Sequence, residues 1–164
     1  MKINFQAFKS IYFHEMDRFR RTLTQSLLSP VLTTSLYFIV FGSVIGGYVE
    51  KIDGISYGSY IVPGLLMLTL LTQSISNTSF GIFFPKFNGT IYEILAAPIS
   101  TFEVVLAFVG AGATKTLIVS VVIFITSLFF VDVQVKYPLL MIFLLILVAF
   151  TFALFGFLIG LMSS

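Results

Sequence analysis

The sequence predicts an all-α polytopic membrane protein, with an amphipathic N-terminal interface helix followed by four transmembrane helices. Three observations carry this. Hydrophobic residues make up 58% of the 164-residue chain and charged residues only 10%, where an ordinary soluble domain is about 25% charged. With a mean hydropathy of +1.07, the chain has too little polar surface to cover a water-exposed globule. Four apolar segments also reach the roughly 20 residues that a helix needs to cross about 30 Å of hydrocarbon. Finally, the alternating ten-residue strands of a transmembrane barrel are missing, so backbone groups in lipid must pair within helices.

The spans are placed near 31–48, 60–84, 104–131 and 139–162, separated by the polar breaks "VEKIDGISYGS", "KFNGTIYEILAAPIS" and "DVQVKY". Residues 1–29 are mixed in character. They lack the early apolar run of a cleavable signal, so the run from Val31 reads as an uncleaved first span. No cysteine is present, which excludes disulfides and Cys-ligated metal.

Residues 5–23 make the clearest amphipathic helix. Phe5, Phe8, Tyr12, Met16, Phe19 and Leu23 recur at three- and four-residue steps, with Lys9, His14, Asp17, Arg18 and Arg21 largely on the other side. Such a helix is expected to lie flat on the inner leaflet, aromatic face down, with its basic groups near anionic headgroups. It serves either as a topology anchor or as a contact for a cytoplasmic partner. A solvated place on the polar face suits His14.

Of the nine basic residues, Lys2, Lys9, Arg18, Arg20 and Arg21 precede the first span. The positive-inside rule therefore puts the N-terminus and the 85–101 segment in the cytoplasm. Tyr48, Tyr57, Tyr60 and Tyr137 flank the two remaining breaks, as an interfacial aromatic belt does.

In the second span, Thr69, Gln73, Ser76 and Asn77 share a polar face. Side chains of this kind join helices by hydrogen bonds or line a translocation path, and both readings stand. Gly42/Gly46 and Gly156/Gly160 have the spacing of close helix packing. The 85–101 segment carries signals for its own short helix. Thr90 and Glu93 have capping-box spacing, and Pro98 ends the helix by disfavouring helical backbone at Ala97. Ser100 and Glu103 form a second box that opens the third span. The short helix is either an interfacial turn or a rigid docking element, with Ile91, Ile94 and Leu95 as its apolar face.

In the third span, "GAGATKT" (residues 110–116) departs from the phosphate-binding loop, having Thr114 where glycine precedes the lysine and a membrane helix for context. Lys115 is an intramembrane charge, a costly and often functional feature. It snorkels, joins an internal ion pair or contacts substrate. No catalytic constellation is visible, so the chain is not expected to be an enzyme.

The order of features resembles the permease subunits of the ABC-2 class of ATP-driven exporters, closest to the drug, polysaccharide and nodulation-factor export branch. The resemblance rests on "FQAFKSIYFHEMDRFRR" as an interface helix, "YIVPGLLM" with Pro63 and Gly64 opening the second span, and "NGTIYEILAAPIS" as a coupling helix. It implies a subunit of the bacterial inner membrane that moves substrate outward, powered by a separate ABC ATPase that binds ATP and Mg. The chain itself then holds no cofactor. The implied partners are that ATPase, a second permease copy in a homodimer, and the bilayer, with no nucleic acid. Thr90, Ile91, Tyr92, Glu93, Ile94, Leu95 and Pro98 would dock on the ATPase, and Thr69, Gln73, Ser76, Asn77 and Lys115 would face the path. Family members usually have six spans, so the chain is expected to correspond to the first four. The alternative is a membrane scaffold or assembly protein with no substrate path.

Overall fold

The computed structural model describes residues 5–45, 48, 51–52 and 54–163. Among these the chain is helical, in the order α1 (Phe5–Arg21), α2 (Leu23–Tyr37), a π-helical segment (Phe38–Ile45), α3 (Tyr57–Phe87), α4 (Ile91–Ala96), α5 (Thr101–Phe130) and α6 (Pro138–Met162). Four helices are long and apolar enough to span: Leu23–Phe41, Tyr57–Phe87, Thr101–Phe130 and Pro138–Met162. The expected class therefore holds.

The first span departs from expectation. It begins at Leu23 rather than at 31, following a break at Thr22 (φ −108°, ψ 15°). Pro30 is accommodated inside it, as proline is in spanning helices whose neighbours re-satisfy the freed backbone. Its far end widens into the π-helix, where buried Phe38 stacks on Phe130 with centroids 5.9 Å apart. Gly46 of the Gly42/Gly46 pair lies outside the described residues.

Caps decide the other ends. Ser56 accepts the Ser59 backbone N–H and starts α3 at Tyr57. Pro138 occupies the first turn of α6, where a missing N–H costs nothing. The Ser100–Glu103 box forms, its Glu103 carboxylate accepting the Ser100 backbone N–H at 3.0 Å. At 31 and 30 residues, α3 and α5 are about 45 Å long at 1.5 Å per residue. They overrun a hydrocarbon core of about 30 Å.

The central helix is α5. In its most apolar window 56% of residues are buried, against 17–28% in the other three spans. It is apolar almost all round, as a helix enclosed by neighbours must be, and it touches α1, α2, α3 and α6. Small residues allow the tightest crossing, that of α6 on α3. A Cβ on Gly156 would lie 2.5 Å from the Ile75 carbonyl oxygen, and one on Gly160 2.6 Å from that of Ser79. Ala149 and Ala153 extend this stripe, both fully buried, and the Ser74 hydroxyl donates to the Ala149 carbonyl at 2.6 Å. This is small-residue packing with a polar clasp, as membrane helices use in place of a hydrophobic drive.

Candidate functional site

The aromatic side of α1 divides between surface and core. Phe5 is exposed and Phe8 half-buried, whereas from Ile11 to Phe19 the helix packs on α5. Phe19 is buried, Ile11 and Met16 fill in against the two core clusters, and the Tyr12 hydroxyl donates to Thr114 Oγ1 at 3.0 Å. The run at 110–116 explains why. It is helix, as its membrane context requires, with Thr114 placed to accept the Tyr12 hydroxyl and Gly110 beside the Tyr12 ring, at ordinary contact distance from where a Cβ would stand.

The reason α1 is held there is Glu15, a residue with no place in the periodic pattern. Its carboxylate is 3% exposed and accepts from Lys115 Nζ at 2.7 Å, while Arg18 Nη2 lies 3.1 Å away. The Arg18 guanidinium also sits 5.7 Å from the centre of the Phe84 ring. Lys115 stands midway along α5 and is itself buried. Of its three readings the structure shows the internal ion pair. A lysine in that position is costly unless paired, and the matching carboxylate comes from a helix one hundred residues earlier in the chain.

The polar face of α3 divides. The buried row is Val62, Leu66, Leu70, Ser74, Thr78 and Ile82, one residue every four, and the stripe of Thr69, Gln73 and Asn77 runs half-buried beside it. Asn77 Nδ2 donates to Thr116 Oγ1 of α5 at 3.4 Å, and Thr69 Oγ1 turns back to its own Leu65 carbonyl. Ser76 is exposed. Thr78 faces Gly112 so closely that any Cβ there would strike its hydroxyl, and among the described residues Thr78 Oγ1 has no hydrogen-bond partner. Thus Asn77 and Lys115 are both engaged in contacts between helices, Asn77 with α5 and Lys115 with α1.

The loop from α3 to α5 is built on a reversal. Gly89, with φ +77°, occupies the left-handed region and swings the chain out of α3. The Thr90–Glu93 box does not form: Thr90 has helical backbone (φ −63°, ψ −17°) and makes no side-chain cap. The Gly89 turn already starts the helix, the Tyr92 N–H bonding to the Gly89 carbonyl. Ala97 is extended before Pro98 as anticipated. On α4, Ile91 and Ile94 turn inward against the core cluster of α3, α5 and α6. Thr90, Tyr92, Glu93, Leu95 and Pro98 remain exposed, Tyr92 at 73% and Leu95 at 66%.

Lys86, at the end of α3, was assigned no role from sequence. Its ammonium donates to the Leu161 and Ser163 carbonyls at 2.8 and 2.5 Å. A cation there satisfies free carbonyls and favours the negative end of the α6 dipole. The α4 end of the bundle is therefore tied on two sides, by Lys86 to α6 and by Ile91 and Ile94 to the core.

Comparison with known proteins gives a consistent result. Residues 6–164 match the family described as ABC-2 type transporter. The chain is 38% identical, over all of its 164 residues, to the inner membrane transport permease YadH of Escherichia coli (strain K12). The same identity holds for YadH of Escherichia coli O157:H7 and of Shigella flexneri. The chain spans 64% of the length of these relatives. No solved structure matches.

Proposed function

The chain belongs to the ABC-2 type transporter family, and from that premise we propose that it acts as a permease subunit, exporting substrate across the bacterial inner membrane. ATP hydrolysis in a separate nucleotide-binding subunit, which holds ATP and Mg, drives it. The N-terminus and α4 face the cytoplasm, and a second copy completes a homodimer.

The observation that carries this reading is the form of α4. A two-turn helix with an exposed Tyr92–Glu93–Leu95 face is anchored at its back by Ile91 and Ile94 and set between two spanning helices by Gly89 and Pro98. Such a knob transmits a push to α3 and α5, whereas a loose loop would absorb it. Docking on the ATPase falls to Thr90, Tyr92, Glu93, Leu95 and Pro98, while Ile91 and Ile94 support them from behind. The Glu15–Lys115 pair carries the same displacement into α1. Gln73 and Ser76, the stripe members whose side chains have no hydrogen bond among the described residues, are the first candidates for the path. Thr69, Asn77 and Lys115 join it only if their present contacts open.

The test is co-purification of the ATPase with permease carrying Leu95→Asp. Leu95 is exposed, so folding is spared. An apolar contact at the centre of an interface is lost and a carboxylate takes its place, which should lower recovery roughly tenfold or more. Recovery and ATPase stimulation equal to those of the unmodified protein would show that α4 is not the docking element, as a scaffold without a substrate path would predict.

A further inference from the structure

We propose that the end of the bundle opposite α4 holds a binding site for one anionic glycerophospholipid, between α3, the 131–137 connection and the start of α6. Three features of one place carry it. The first is a cavity of about 360 Å³ whose walls include Pro63, Leu66, Phe124, Leu140 and Leu144, apolar throughout its depth. The second is Lys136 at its mouth. The connection is extended and alternates, with Val131, Val133 and Val135 half-buried and Asp132, Gln134 and Lys136 exposed, so the lysine is held at the rim by the valines that fill the wall. Its ammonium lies 5.9 Å from the centre of the Tyr137 ring and has no carboxylate partner among the described residues. The third is depth. Tyr137 and Tyr60 are exposed at this level, where aromatic residues mark the membrane–water boundary.

A cation at headgroup depth above an apolar slot reproduces the vertical order of a phospholipid, phosphate above and acyl chain below. The start of α6 adds to it, because no side chain caps its first N–H groups and their dipole favours negative charge. The Ser59 hydroxyl donates to the Asp132 carbonyl at 2.9 Å, which ties the connection to α3 beside the slot. A zwitterionic lipid fills the slot equally well but brings its own cation beside Lys136, so charge decides between headgroups.

The protein is purified in mild detergent, stripped of lipid and titrated with phosphatidylglycerol or phosphatidylcholine, with bound lipid read by native mass spectrometry. One phosphatidylglycerol per chain is expected to be retained about fivefold more tightly than phosphatidylcholine, the preference one basic residue near the headgroups supplies. Lys136→Gln should erase the preference and Lys136→Arg keep it. Leu140→Trp, which fills the slot, should weaken both lipids. Lys136 and Leu140 are exposed, and unchanged melting temperatures will confirm that the variants are folded. Equal retention of the two lipids by the unmodified protein overturns the assignment. So does a preference that survives Lys136→Gln, retention that survives Leu140→Trp, or displacement of the lipid by inorganic phosphate alone at equal concentration.

Discussion

At the scale of single residues, Glu15 is the side chain on which most depends. Among the described residues it alone is paired with Lys115, and both are out of water. Removing one member of a buried pair strands the other, so Glu15→Ala should cost about 3–5 kcal/mol of stability. Lys115→Ala should cost less, since Arg18 remains on the carboxylate at 3.1 Å. Replacing both charges by methionine should be close to neutral, because the desolvation of two ions goes with them. Unfolding in mixed micelles with increasing denaturing detergent measures all three, and a Glu15→Ala protein as stable as the unmodified one would mean that the pair does not hold α1. Thr78 offers the opposite case. Its buried hydroxyl has no partner among the described residues, so Thr78→Val should leave stability unchanged or raise it. A loss beyond about 1 kcal/mol would reveal a hydrogen bond worth that much.

At the scale of elements, α4 has two faces with different work. Ile94→Asp puts a carboxylate against the bundle's own core and should cost several kcal/mol of permease stability, so loss of the ATPase in that variant would say little about docking. Leu95→Asp should spare stability and lose the ATPase. Thr90→Ala should change stability by less than about 0.5 kcal/mol, as surface substitutions do, because Gly89 rather than a threonine cap begins the helix. A Thr90→Ala loss of about 1 kcal/mol, the worth of a side-chain cap, would contradict that geometry.

At the scale of the whole molecule, α3 and α6 are held at backbone distance by glycine, and no side-chain adjustment can relieve a Cβ at Gly156, 2.8 Å from Ile75 Cα. Gly156→Leu should therefore force the helices apart and cost about 3 kcal/mol or more. Equal stability of the variant would show that the crossing is looser than it stands here. Orientation is testable because the chain has no cysteine of its own. With the N-terminus inside, Ile55→Cys should react with an impermeant thiol reagent added from outside and Asn88→Cys should not. The reverse pattern would invert the bundle.

What the sequence by itself determined is everything that depends on run length and local chemistry. Four apolar segments can only be helices in lipid, whatever their neighbours. Ser100 with Glu103 and Pro98 after Ala97 each act within a few residues, so the short helix between two spans was legible before any contact was known. Only the tertiary structure decided which face of each helix meets protein. Residues 5–23 show an aromatic side, but lipid and α5 are equally apolar, so periodicity alone cannot say which of them that side meets. Glu15 was invisible for the same reason. A carboxylate among basic residues on a short helix reads as solvated until its partner is brought to it, and Lys115 is one hundred positions away. The polar stripe of α3 and the face of α4 follow this rule too: a sequence gives the spacing of side chains around a helix, while which of those directions is interior is set by where the other helices stand.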